Sequence, residues 1–533
     1  MIGVIAGEYE LEVVREFFEL FKTPWELCKR GKRYPVVLST SSTTRLPQAA
    51  LTILYGREQR GLSSRSFGET AMPSYSHNAT VLRYYGRSFP VYAGCSEFTT
   101  DEPAIITRED TGSVVGYRRS VDGYKVTRIG YDLFQEIRIL LTIGQPAEYA
   151  LTPTVDIHIS ILRNLIIGTG LPLVEIPPVP PGCDLILCLT HDVDFVSIRA
   201  HRLDRTVIGF LFRAIVLSLV CFLKGTCTLN KLIRNLLAVV SLPLIHLSLV
   251  RDHFNQFVPY RRLEGDLRST FFLIPRKGVD GKSPDGRNSS GRASHYDVSD
   301  ISNETRALRA TGCEIGLHGI DAWRNETMAS EERDKIRFET GSNPIGIRMH
   351  WLYFSEETPK VLEQAGFIYD STLGYNDAVG FRGGTAQVFR PLGLEHLLIL
   401  PLHVQDTALF LPGRMNMTQN EGIGMIEKII AEIRRIGGVL TVNWHMRSLG
   451  PDRFWDEPYR YLLRIAKGGC VWPATADEVV GWFAMRRSAE FSKVDLQGRK
   501  PRVWAEKSLT LPRLILRWYN RPGSDTSYDD EIA

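Results

Sequence analysis

The sequence contains no CxxC pair, no glycine-rich nucleotide fingerprint, no marked excess of charge of one sign and no basic stretch ahead of an apolar leader. Each absence removes a class of protein. Sixty-four basic and 60 acidic side chains leave a net charge of +4 on 533 residues, which offers no electrostatic footprint for nucleic acid. The opening MIGVIAGEYELEVV turns acidic directly after a short apolar run, so no secretory signal is expected there. The eight cysteines, Cys28, Cys95, Cys183, Cys188, Cys221, Cys227, Cys313 and Cys470, stand mostly in apolar runs such as DLILCLT and TGCEIGL. Free buried thiols are therefore expected in place of a disulfide framework or zinc ribbon, and with them a reducing, cytoplasmic compartment. What remains, 44% hydrophobic and 23% charged, is the mix of a soluble globular chain long enough for several domains.

The first part, residues 1–175, reads as an α/β accessory domain. IGVIA (2–6) and PVVLS (35–39) are predicted strands; LEVVREFFELF (11–21), 131–144 and 155–170 are predicted helices. No convergent titratable cluster stands out in it. EIPPVPPG (175–182) stiffens the chain and marks a domain junction. From Asp184 a different rhythm begins. Apolar runs end repeatedly in polar or aromatic residues: LILCLTHDVD (185–194), STFFLIP (269–275), CEIGLHGID (313–321), PIGIRMHWL (344–352), FIYDSTLGY (367–375), LLILPLHVQD (397–406), GVLTVNWHM (438–446) and CVWPATADE (470–478). Helical stretches separate several of them. Buried strands alternating with helices predict a parallel sheet, and this many predict a (β/α) barrel over 183–485, with reactive groups gathered at the C-terminal ends of its strands. A C-terminal extension, 486–533, is expected to form a small β or helical piece and a frayed end.

The strand ends carry the chemistry. In extended HDVD, Asp192 and Asp194 share one face and His191 points the other way. Two carboxylates side by side need a cation, a proton or an arginine between them, and a metal–water site uses that split: one acid on the metal, one free as base. A solvated, helix-capping loop is the weaker alternative, and His191 is expected to be a structural histidine. In GLHGIDAW, His318 and Asp321 are candidate ligands for zinc or a neighbouring ion. Arg348 in GIRMHWLYF needs an acid partner, for which Asp192 is the candidate. His350 is open between a ligand, a substrate contact and packing beside Trp351, the last two favoured. His445, after another buried run, suits protonation of a leaving amine.

In this order the motifs resemble the polysaccharide deacetylases, the family that includes chitooligosaccharide and peptidoglycan deacetylases, over roughly Leu185–Phe483. The resemblance implies a distorted (β/α) barrel and removal of N-acetyl groups from sugars with a divalent metal, usually zinc. It implies Asp192 as general base, Asp194 and His318 as ligands, Arg348 as partner of the base and His445 as general acid. The sequence departs from the family where the second metal histidine is due, four residues after His318. Ala322 stands there, and Asp321, His350 or another group is expected to complete the shell, Asp321 being the one chosen. FRGGT (381–385) accompanies these motifs in a bacterial sub-branch. Trp351, Tyr375 and Asp406 are second-tier candidates for sugar contacts or orientation, as are Asp370 and Trp444, with turn, cap and core roles as the alternatives. The rival readings are a non-catalytic glycan-binding or assembly protein, motivated by Ala322, and a hydrolase of another non-peptide C–N bond.

An insertion over about 199–262 holds two apolar stretches, 207–223 and 229–250. The first is short for a membrane span and contains Arg213; the second contains Lys231, Arg234 and Pro243, so a transmembrane hairpin is not expected. The favoured reading is a helical lid packed on the barrel. The alternative is peripheral membrane contact through 207–250.

Overall fold

The computed structural model describes residues 1–40, 48–56, 71–74, 79–202, 204–225, 227–287, 289, 291–342, 346–491, 503–504, 508, 510–520 and 528–532. The chain divides into two compact units, one comprising Met1–Gly182, Phe381–Gly393 and Gly481–Ala533, the other Cys183–Gly380 and Leu394–Val480.

The first unit is built on an 11-stranded mixed sheet. Its parallel half contains Ile2–Ile5 and Val36–Ser39, with helix Leu11–Phe21 between them in sequence. Its antiparallel half, including Val114–Val121 paired with Tyr124–Ile129, has no counterpart in the sequence reading, because those strands mix polar and apolar residues without long apolar runs. The FRGGT segment belongs to this unit. Thr385 Oγ1, the Ala386 amide and Gln387 Nε2 donate to the buried Asp156 carboxylate at 2.9–3.1 Å. The C-terminal extension supplies Ile515–Tyr519, which pairs with both Leu173–Glu175 and Tyr528–Ile532. The expected frayed end is thus a strand, held by Arg517 donating to both oxygens of Asp530 at 2.7 and 2.8 Å. Much of the rest of that extension, including 492–502 and 521–527, lies outside the described residues.

The second unit is α/β, a distorted (β/α) barrel. Its parallel strands are β1 (Leu185–Val193), β2 (Thr270–Leu273), β3 (Glu314–Gly319), β4 (Ile347–Met349), β5 (Tyr369–Asp370), β6 (Leu398–Ile399), β7 (Val404–Gln405), β8 (Val439–Asn443) and β9 (Val471–Ala474). They run in the order β6-β5-β4-β3-β2-β1-β8-β7, and β9 also pairs with β1. All nine residues of β1 are buried, as expected for a strand covered on both faces. Its late residues Thr190–Val193 pair with β2 while its early ones pair with β8, so the strand ends bearing HDVD and NWH converge.

The two apolar stretches of the insertion form helices α1 (Arg205–Leu223), which includes a π-helical stretch at Phe212–Leu217, and α2 (Leu229–His246), which contains Pro243. Val207, Phe210, Ala214, Ala238, Leu242 and Ile245 pack with Phe195, Ile198 and Phe254. The lid reading holds for that one face. It fails for the others, which expose Phe212, Val216, Leu237 and Val240 to solvent. Helix α1 is 19 residues long, longer than the apolar stretch read from sequence, and is the one helix among the described residues long and apolar enough to cross a membrane by length and composition. The cysteines are free as expected, but only Cys95, Cys188 and Cys313 are buried; Cys221 and Cys470 are exposed.

Candidate active site

The end of β1 separates its side chains by alternation. His191 turns into the packing behind the strand, where its Nδ1 donates to the Trp444 carbonyl and its Nε2 is hydrogen-bonded with Glu264, each at 2.8 Å. Both nitrogens are therefore used, and His191 is structural. Asp192 faces the opposite way. Arg348 Nη1 donates to its Oδ1 at 2.9 Å and Asn443 Nδ2 to its Oδ2 at 2.7 Å, which fixes both oxygens. Arg348 is fully buried; it also donates to Thr190 Oγ1 and to Ser371 Oγ and O, so its plane is set by three strand ends.

Next to this acid lies a group of side chains whose buried polar atoms face one another. His318 Nδ1 sits 2.9 Å from the Arg348 carbonyl. A carbonyl only accepts, so Nδ1 carries a hydrogen and Nε2 is the nitrogen turned toward the acids. It lies 3.0 Å from Asp194 Oδ1 and 3.8 Å from Asp192 Oδ2. His350 Nε2 approaches the same Asp194 oxygen at 3.6 Å. Asp194 Oδ1, His318 Nε2 and His350 Nδ1 are buried polar atoms without a hydrogen-bond partner. Asp194, His318 and His350 each offer a ligand atom, all within 4.8 Å of one another. Buried acceptors that face each other are costly unless a cation lies between them, so these residues fit a divalent metal ion. Burial pushes the His350 pKa down to about 3, which keeps its imidazole neutral and able to ligate.

On the other side of Asp194, His445 Nε2 stands 3.7 Å from Oδ2. Its Nδ1 donates to Asp406 at 2.6 Å, and its backbone amide donates to the same carboxylate at 2.7 Å. Burial opposes the imidazolium, yet Asp406, with Asp194 and Asp192, raises its pKa to about 9. The histidine is thus a charged donor aimed at the cavity. That cavity, 580 Å³, is lined by Asp192, Asp194, Arg292, His350, Trp351 and His445 among others.

Asp192, Asp194, His318, Arg348 and His445, picked out from the sequence, meet at this rim; other expected roles change. Asp321 is not in the ligand group: its Oδ1 accepts from the Lys282 amide at 2.9 Å, and Arg324 reaches its Oδ2 at 3.4 Å. The third member of the group comes from the next strand end, where His350 begins a turn, and Ala322 is simply buried. Asp406 is buried, is absent from the cavity lining and bonds His445, the orienting one of its two expected roles. Tyr375 is buried and is absent from the cavity lining, where its own carbonyl accepts from Gln405. Trp351 does line the cavity, 44% exposed, with φ +64 in a left-handed conformation that a non-glycine residue rarely adopts. Asp370 caps Thr372, and Trp444 lies in the core.

Two participants escaped the sequence reading. Asn443 shares a strand face with His445, a period-two signal that could have found it. Arg292 is buried and donates to the carbonyls of Ile320 at 2.8 Å and His350 at 2.6 Å, which ties the two ligand-bearing segments together. It lies in a loop with no periodicity to mark it.

No family model matches the chain. Over 83 residues, 14% of its length, the chain is 30% identical to the peptidoglycan deacetylase-like protein FGM2 of Gibberella zeae; the match spans 25% of that relative. Among solved structures, it is similar to Agd3, a carbohydrate deacetylase, at 8% identity and TM-score 0.37, covering 97% of this chain and 90% of that one. A polysaccharide deacetylase structure from Mycobacterium smegmatis matches at 18% identity and TM-score 0.35, over 63% of this chain and all of its own. In the order of its motifs, in its barrel and in its sequence match, the chain resembles the polysaccharide deacetylases.

Proposed function

We propose that the chain is a metal-dependent hydrolase that removes N-acetyl groups from a carbohydrate, with Asp194, His318 and His350 holding the ion. The reading rests on one observation: His318 Nε2 faces an Asp194 oxygen at 3.0 Å, both atoms buried without a hydrogen-bond partner, beside a second acid whose two oxygens are already fixed by Arg348 and Asn443. Two imidazoles and a carboxylate with an open side suit zinc. When bound, the ion supplies Lewis-acid polarisation of the acetamide carbonyl and of a water.

The protein's own groups do the rest. Asp192 accepts the proton of the attacking water, and Arg348 and Asn443 hold it in register. His445, backed by Asp406, gives a proton to the departing sugar nitrogen as the C–N bond breaks, leaving acetate and a free amine. Trp351 offers an exposed ring for a sugar face. The test is Asp192→Asn. Deacetylation of N-acetylated oligosaccharides by the zinc-loaded chain should fall by roughly 10²–10⁴-fold while the zinc content per chain stays unchanged. Undiminished turnover in that variant would overturn the assignment of the base.

A further inference from the structure

We propose that the α1–α2 hairpin lays an apolar face on an anionic membrane leaflet without crossing it. Of the 29 large apolar side chains exposed among the described residues, sixteen lie between Ile208 and Leu249. A water-soluble monomer rarely gathers so many in one place. The pattern within each helix locates the face. Buried positions recur at Val207, Phe210, Ala214 and Ser218 in α1, and at Leu232, Asn235, Ala238, Leu242 and Ile245 in α2, one stripe each. Outside those stripes the helices are again mostly apolar, where a water-facing helix would be charged.

Charge decides what covers them. From Arg205 to Arg251 there is not one aspartate or glutamate, while Arg205, Lys224, Lys231, Arg234 and Arg251 are cationic. A second copy of this hairpin would bring like charges together. Anionic headgroups complement them, and acyl chains accept the apolar side chains between.

Polar contacts within the unit argue for a hairpin that lies in the interface. Arg213, in the middle of α1, pairs with Asp452 at 2.5 Å. Asn235 Nδ2 donates to Ser218 Oγ at 2.6 Å, and its Oδ1 accepts from the Asp452 amide at 2.9 Å. Arg199 holds the Ile245 and Val250 carbonyls, both at 2.9 Å. A crossing helix would have to abandon these bonds and carry Arg213 into the hydrocarbon.

The experiment is vesicle flotation of the intact chain, using phosphatidylcholine alone or mixed with phosphatidylglycerol. The chain should float with the mixed vesicles and much less with phosphatidylcholine alone. Leu237→Glu with Val240→Glu should cut partitioning about tenfold or more with an unchanged circular dichroism spectrum, because both side chains already face solvent. Lys224→Glu with Arg251→Glu should weaken binding to the anionic vesicles only. The proposal fails if the wild-type chain never floats. It also fails if the chain is a dimer that Leu237→Glu with Val240→Glu dissolves without any vesicle binding, or if a tag beside Gly225 becomes protected inside sealed vesicles, which would mean a crossing helix.

Discussion

The two ends of strand β3 use acids and their neighbours in opposite ways. At its start, Glu314 receives the Tyr369 hydroxyl at 2.6 Å, Thr270 Oγ1 at 2.7 Å and the Asp477 amide at 3.0 Å. Every approach is a donor to an acceptor. At its other end, His318 turns Nε2 toward Asp194 while His350 closes from a third direction, and no hydrogen bond joins them. One strand of six residues thus carries a satisfied acid at one end and an unsatisfied cluster at the other. In a parallel barrel the first kind of site serves stability and the second serves ligands. Composition does not separate them, since both are polar groups in an apolar sheet; the count of donors against acceptors does.

If that contrast is right, the largest effect lies at the satisfied end. Burial first, and the charge of Asp477 second, push the Glu314 pKa up to about 8 from an ordinary 4.5. A raised acid is stabilising while protonated. Its contribution is complete below about pH 4.5, declines as the unfolded chain ionises first, and is gone above about pH 8. Each tenfold difference in proton affinity is worth about 1.4 kcal/mol, so the decline amounts to several kcal/mol. Glu314→Gln should flatten the fall in melting temperature over that window and leave zinc affinity unchanged. A variant that melts with the wild-type pH dependence would break the comparison. At the unsatisfied end, His350→Ala should behave in the reverse manner. Zinc affinity should drop at least 10–100-fold by titration calorimetry, with the metal-free melting temperature barely moved, because the lost imidazole nitrogen bonds to nothing. A smaller effect is expected at the edge of the cluster. Asp406→Asn removes the main charge that raises His445 to about 9, so the His445 titration followed by NMR should move down toward its ordinary value. The alkaline limb of the activity profile should move with it, by about tenfold at pH 8.

How far the site could be read in advance follows from where regular geometry ends. Asp192, Asp194, His318 and Arg348 sit on or one residue beyond strands, where period-two alternation tells which side chains share a face. His350 stands where alternation stops: β4 ends at Met349, and the chain turns through Trp351 at φ +64. From the sequence, a substrate contact or packing beside Trp351 therefore ranks above a ligand, although the turn is what swings the imidazole to Asp194. The barrel was legible because its strands are unbroken apolar runs. The antiparallel strands at 80–129 were not, since their alternation is weak. For the insertion, hydropathy showed two apolar helices but could not say which of their faces the barrel covers; that depends on Phe195, Phe254 and Asp452, all distant in sequence.

Asp321 offers the finest test of the contrast, because sequence and structure disagree about it. Its spacing from His318 and its chemistry make it a natural ligand, and Ala322 leaves the place of a family histidine empty. Yet both its carboxylate oxygens face donors, the Lys282 amide at 2.9 Å and Arg324 at 3.4 Å, the pattern of Glu314 rather than of Asp194. It is therefore a stabilising acid beside the site. Asp321→Ala should keep zinc affinity within about twofold and lower stability by about 1 kcal/mol, the worth of a hydrogen bond to a buried carboxylate less what water restores. A loss of zinc binding comparable to that of His350→Ala would move Asp321 into the ligand set and show that donors nearby do not disqualify an acid from holding a metal.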